Sequence, residues 1–284
     1  MRALAALLAA IAGCGLAGAA SGMPVAPPAP SAGGPPRGAA ASGLERRLQP
    51  LLRLGSRPCC GETHRARILL GRSTEGRPIR LEATAAAGGR RRRPGALVFG
   101  CIHGTECAGI RAVRYIGGGC PPPAPIWAVP NLNPDGYGQG TRLNGRGVDL
   151  NRNFPSGWRP IGQRYGLEYS GPRPFSERET RLAARLIRLV RPRITIWFHQ
   201  EARPLVRAWG QSVPAARRYA RIARLPFHRL PWLAGTAPNW QNHRFPHAAS
   251  FVVELPLGRL SQAQASEYGT DVFRLVAGWR SPRG

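Results

Sequence analysis

The 284-residue sequence predicts an α/β fold: a single domain with a mostly parallel or mixed central sheet flanked by helices. Three observations carry that prediction. Apolar runs of strand length recur at wide spacing, as in "GALVFGCI", "RITIWFH" and "SFVVEL". Segments with helical spacing of apolar residues separate them. No internal repeat interrupts the alternation, and no second domain is indicated.

The chain opens with Arg2 and "ALAALLAAIAG", eleven apolar or small residues. That is the composition of a secretion signal, and it is too short for an ordinary transmembrane helix. Residues 1–21 are therefore expected to be a signal peptide and the product to be exported. "IAGC" resembles a bacterial lipoprotein signal, which would lipidate Cys14 and attach the protein to a membrane. A cut near "AGAAS" (17–21) would release it instead, so the expected location is extracellular or cell-surface. Residues 22–42, dominated by Pro, Gly and Ala, read as a low-complexity tether.

The folded domain is expected over 43–284. A short helix is predicted over 43–55, with Leu44, Leu48, Leu51 and Leu52 on one side. "ARILLGRSTEGRPIRLEAT" reads as strand, turn, strand, the turn bracketed by Gly71 and Gly76. "GALVFGCI" is a buried strand ending just before His103. A helix from Glu106 to about Tyr115 follows, stopped by the glycines at 117–119. "PIWAVPNLNPDGYG" supplies a strand and then a turn through Pro134, Asp135 and Gly136. A helix begins at Ser176, which with Glu179 suggests a capping box, and Leu182, Leu186 and Leu189 line one face. "RITIWFH" is a buried strand, 213–224 a helix and "SFVVEL" a further strand. A final amphipathic helix over 263–279 runs through Ala265, Tyr268, Val272 and Leu275.

The formal charge is +27, and all 41 basic residues are arginine, against three aspartates. Such charge draws polyanions. Specific nucleic-acid binding would need stacking aromatics among the arginines or a recognisable module, and neither is present. The arginine therefore reads as the surface filling of a chain rich in Ala, Gly and Pro. Cys59, Cys60, Cys101, Cys107 and Cys120 follow the tether. Their number is odd, no pairing is assigned, and Cys101 is expected to be an inert buried strand residue.

Three polar residues share one address. His103 follows a strand, His199 closes another and Glu254 closes a third, and open α/β sheets receive ligands at such carboxyl ends. His103 or His199 alone could be a satisfied core histidine. A glutamate ending an apolar strand is harder to explain without a partner. With Glu106, the two histidines offer two imidazoles and a carboxylate, the ligand inventory of one catalytic zinc ion with a position left for water. Glu254 is then placed to move the proton of the attacking water.

"HGTE", "NPDGY", "TRLNGRGVDLNRNF", "IWFHQ" and "FVVELP", in that order over residues 103–256, resemble the zinc carboxypeptidase family, above all its compact bacterial branch that includes murein peptide amidases. "GRSTEGRPI" (71–79) extends the likeness towards the amino end. The resemblance implies a zinc metallocarboxypeptidase that acts on peptides with a free carboxylate, peptidoglycan-derived ones among them, and a monomer is expected. It implies His103, Glu106 and His199 as metal ligands and Glu254 as catalytic base. Arg142 would stabilise the oxyanion, Asn151 and Arg152 would clamp the substrate carboxylate, and Asp149 would orient His103. Asn153 and Phe154 read as shape-keeping neighbours, and Gly104 and Gly147 as tight backbone positions. The pattern departs from the larger digestive enzymes in one respect: no tyrosine lies between Tyr219 and Tyr268 to cap the substrate. Trp232, Trp240, His243 and His247 occupy that region, and residues 232–246 are expected to line the approach. Two alternatives stand beside this reading. One is an N-acyl amino acid amidohydrolase resembling aspartoacylases and succinylglutamate desuccinylases; the other is a surface-binding protein on an inactive scaffold.

Overall fold

The computed structural model describes residues 43–52, 65–84, 94–116, 124–229, 231 and 233–279. The expected signal and tether over 1–42, Cys14, Cys59, Cys60, Cys120 and Trp232 lie outside these residues. Eight strands appear among them: β1 (Arg65–Arg72), β2 (Pro78–Thr84), β3 (Ala96–Phe99), β4 (Ile126–Val129), β5 (Ile194–Gln200), β6 (Leu205–Ala208), β7 (Phe227–Arg229) and β8 (Ala249–Leu255). Seven α-helices accompany them: α1 (Gly43–Leu52), α2 (Gly109–Val113), α3 (Pro134–Gln139), α4 (Arg178–Val190), α5 (Val213–Ala223), α6 (Ala237–Arg244) and α7 (Gln262–Gly278). No helix among the described residues is long and apolar enough to cross a membrane.

The sheet order is β1-β2-β4-β3-β5-β8-β6-β7. β4, β3, β5 and β8 run parallel at its centre, while β2 joins β4 and β6 joins β8 antiparallel, so the sheet is mixed. The central runs are apolar throughout because both their faces are covered. Val98, Ile196, Phe198, Phe251 and Val253 pack on one face with α2, α5 and α7. Leu97, Phe99, Trp127, Trp197 and Val252 pack on the other with α1, α4 and α6. Each such buried side chain contributes roughly 1.5–3 kcal/mol from removal of apolar area from water.

Several local expectations change. The helix predicted from Ser176 starts at Arg178, and its N-cap is Glu177 without a side-chain capping bond. Ser176 Oγ instead donates to Glu177 Oε1 (2.7 Å) and accepts from Asn153 Nδ2 (2.8 Å). Leu186 is buried on α4, but Leu189 is exposed; Ala183, Ile187 and Val190 complete the packed face. The turn expected at Pro134–Gly136 is the first turn of α3, with Pro134 inside the helix start and Asn133 Oδ1 accepting from Gly136 N. β6, β7 and α6 were not foreseen.

The motif residues of the β1–β2 turn join α3. Asp135, fully buried, accepts from Ser73 Oγ (2.6 Å), Glu75 N (3.0 Å) and Arg77 Nη1 (2.9 Å). "GRSTEGRPI" and "NPDGY" therefore hold the β1–β2 hairpin to the segment that follows β4.

Candidate metal centre

From β3 the chain moves outward to β4 and then returns past β3 to β5. β3 and β5 thus send their following segments to opposite sides, and a crevice opens at their carboxyl ends. His103 lies just past β3. His199 lies near the end of β5 and is paired in register with Glu254 of β8.

Glu106 is not helical as expected; α2 begins only at Gly109. Residues 103–106 form a turn in which Glu106 N donates to His103 O (2.9 Å), and this brings both side chains to the same side. Gly104 makes that turn possible: a Cβ there would lie 2.1 Å from the carbonyl carbon of Gly136. Gly147, at φ +73°, takes a conformation that other residues rarely adopt. Cys101 is not inert. It is disulfide-bonded to Cys107, so a covalent link closes the loop that carries His103 and Glu106.

The three side chains converge. Glu106 Oε2 lies 3.0 Å from His103 Nδ1 and 2.8 Å from His199 Nδ1, and the three ligand atoms are all within 4.8 Å of one another. His103 Nε2 faces Asp149 Oδ1 at 3.0 Å, so Asp149 fixes the ring with Nδ1 turned inward. Two imidazole nitrogens and one carboxylate oxygen on a cleft wall fit a single zinc ion, with a coordination position to spare. Burial opposes ionisation of Glu106, yet hydrogen bonds with His103 and His199 hold its carboxyl well below the usual range. Burial likewise opposes ionisation of Asp149, and the neighbouring His103 and Arg142 outweigh it. Burial also disfavours protonation of His103, but Asp149 reverses that and raises its pKa.

Glu254 lies on the same cleft, which has a volume of about 280 Å³. Burial pushes its carboxyl above the ordinary value, only partly offset by His199 and Arg207. Arg142 donates from Nη1 to Glu106 Oε1 (2.5 Å) and from Nε and Nη2 to Asp149 Oδ2 (3.1 and 3.0 Å), bracing both carboxylates. Arg152 donates to Asn151 O (3.0 Å) and pairs with Glu168. Asn151 Oδ1 accepts from Ala237 N (2.9 Å), which fixes the amide at the rim.

The other expectations sort by burial. Asn153 and Phe154 are fully buried supports, Asn153 donating to Ser170 O (2.8 Å) and accepting from Thr180 Oγ1 (2.8 Å). Trp240 does not cap substrate; it is buried against Phe154, Phe175 and Phe245. His243 bonds Ser156 Oγ. His247 lines a larger hollow of about 840 Å³ with Arg191 and Arg193, which holds none of the metal-ligating residues. The 232–246 stretch does contribute Leu233, Thr236 and Pro238 to the cleft. Sequence reasoning missed Glu201 and Arg207, which also line it. No sequence signal singled out Arg207, one of 41 arginines and set on a strand of four residues.

The profile of the zinc carboxypeptidase family matches residues 124–263, a span that holds Arg142, Asp149, Asn151, Arg152, His199 and Glu254. Murein peptide amidase A of Escherichia coli (strain K12) is 37% identical over 79 residues, covering 24% of this chain. That alignment spans 33% of the relative's length. Among solved structures, murein-tripeptide amidase MpaA from Escherichia coli O157 superposes with a TM-score of 0.61 at 23% identity, over 80% of this chain and 99% of its own. Carboxypeptidase A from Helicoverpa armigera gives 0.61 at 19% identity, over 75% of this chain and 68% of its own. These likenesses show a shared fold.

Proposed function

We propose that the chain, whose residues 124–263 match the zinc carboxypeptidase family, is a zinc-dependent hydrolase that removes the last residue of peptides ending in a free carboxylate. The observation that carries this reading is the meeting of His103, Glu106 and His199 with Glu254 and Arg152 in one cleft. Bound by the three ligands, zinc would polarise the scissile carbonyl and lower the pKa of water to about 7.

The chain's own residues supply the rest. Glu254 accepts a proton at its carboxylate as water adds, and returns it to the leaving amine; a carboxyl with raised proton affinity suits both steps. Arg142, braced by Glu106 and Asp149, presents a fixed positive charge where the carbonyl oxygen becomes negative. Arg152, set by Asn151, receives the terminal carboxylate in place of Glu168. Asp149 keeps His103 Nδ1 directed at the metal.

Murein-derived peptides are the proposed substrates. The likeness to murein peptide amidase A supports this, as does the signal-like composition at the amino end, which would export the enzyme to the wall. The test is a zinc-dependent assay on peptides with free and with amidated carboxyl ends, including a γ-glutamyl-diaminopimelate peptide. Free ends are expected to be preferred. Glu254→Gln should retain zinc and lose at least about 100-fold in kcat, whereas His199→Ala should lose zinc. Equal turnover by Glu254→Gln and wild type, or equal cleavage of amidated ends, would overturn the assignment.

A further inference from the structure

Arg207 is the arginine of the cleft that the proposed reaction does not use. It sits on β6, whose antiparallel register with β8 places Leu205 opposite Glu254 and Arg207 opposite Val252. Along β8, Val252 is two residues from Glu254 and on the same face of the sheet, about 7 Å further in. Arg207 therefore lies on the floor of the cleft, on the side of Glu254 away from the amino end of β6.

Its hydrogen bonding is incomplete. Nη2 pairs with Glu201, a half-exposed carboxylate at the cleft edge. Nε is buried and has no hydrogen-bond partner; the nearest carboxylate oxygen recorded for it is Glu254 Oε1, at 3.8 Å, too far for a hydrogen bond. Leaving a charged donor buried and unpaired costs free energy, so it points to a group that completes it. Apolar Leu233, Pro238 and Val252 line the same cleft. Together they make a pocket with aliphatic walls and, at one end, Arg207 flanked by Glu201 and Glu254.

We propose that Arg207 is a specificity residue, selecting a C-terminal residue whose side chain ends in a carboxylate. This rests on the exopeptidase reading above. A substrate with its terminal carboxylate on Arg152 and its amide nitrogen near Glu254 has the remaining wall of the cleft for its side chain, and Arg207 stands there. The guanidinium offers its unpaired Nε–H, and beside it the Nη2–H edge that Glu201 now holds, to an incoming carboxylate as charge-assisted hydrogen bonds. Glutamate and diaminopimelate both carry such a side-chain carboxylate. A terminal arginine or lysine would instead meet a like charge, which the pocket rejects.

The competing role for Arg207 is to position or tune Glu254, 3.8 Å away. The two differ in what they discriminate. Tuning Glu254 changes the hydrolysis of every substrate alike, whereas a side-chain contact changes only the acidic one. The measurement is therefore a ratio on each enzyme: kcat/KM for an N-blocked dipeptide ending in glutamate over that for the same dipeptide ending in glutamine. Wild type is expected to give a ratio of roughly 30. Arg207→Met should bring it close to one through KM. Arg207→Lys should keep part of it, and Arg207→Glu should shift preference to a terminal arginine. A wild-type ratio near one, or an unchanged ratio in folded Arg207→Met, overturns the inference while leaving the exopeptidase reading intact. If wild type cleaves no dipeptide, that reading has failed, and Arg207 is judged by calorimetric binding of both dipeptides to the zinc-loaded protein. Tighter binding of the glutamate form that is lost in Arg207→Met then supports the role; equal affinities overturn it.

Discussion

Asp149 is fully buried, and its two oxygens meet His103 Nε2, Asn151 N, and Nε and Nη2 of Arg142. An amide in its place would set a donor against these donors. Asp149→Asn is therefore expected to weaken zinc binding about 10- to 100-fold in chelator competition. It should also destabilise the metal-free protein by about 3 kcal/mol in urea unfolding. The pH dependence follows from the sign of its shift. A carboxyl held below its ordinary value of 3.8 stabilises the fold fully above that value and loses the contribution as pH falls towards the folded pKa. Wild type and Asp149→Asn should therefore differ most near neutral pH and converge below pH 3.8. A gap that persists in acid would mean that the substitution acts through packing alone. Glu168 makes a smaller prediction. More than half exposed, it occupies the arginine proposed to take the substrate carboxylate. Glu168→Gln should lower KM for free-carboxylate peptides about threefold, the scale of an exposed ion pair, and leave amidated peptides unaffected.

The loop between β3 and α2 shows what a pattern of apolar residues can and cannot reveal. Central strands and long helices were legible because two covered faces, or one apolar stripe, leave a period in the residues. β6 and β7 have four and three residues, too few for a period, and α6 ("APNWQNHR") has no apolar stripe. His103, His199 and Glu254 were legible as polar residues at or just past the ends of apolar strands, and Glu106 by its spacing from His103; Arg207 was not, being one of 41 arginines on an unread strand. Nor did spacing reveal that Cys101 would bond Cys107, since that depends on the tight turn through Gly104. The bond restrains the loop that presents two ligands. Cys101→Ser with Cys107→Ser is expected to cost about 2 kcal/mol of stability and to speed zinc loss to a chelator. Reductant should speed that loss for wild type and not for the double variant. If reduced wild type releases zinc no faster, the bond has no part in holding the site.

Across the whole molecule, the proposed zinc ion would join parts of the chain that the sequence keeps far apart. Glu106 and His199 are separated by 93 positions, and they come together only when β3 and β5 pair in register. An unfolded chain does not present the three ligands at once, so zinc binding adds to the stability of the native state alone. At free zinc 100-fold above the dissociation constant that contribution is about 2.7 kcal/mol. For a domain of this size each kcal/mol moves Tm by about 2–4 °C, so chelation is expected to lower Tm by about 5–11 °C. The control lies in the same cleft. Glu254 is proposed as a base and not as a ligand, so Glu254→Gln should show the full zinc-dependent shift while lacking turnover. His199→Ala should show little shift at the same zinc concentration, because a ligand is missing. Should chelation lower Tm equally in His199→Ala and wild type, the ion that stabilises the fold is bound elsewhere, and the assignment of this cleft as the metal centre fails with it.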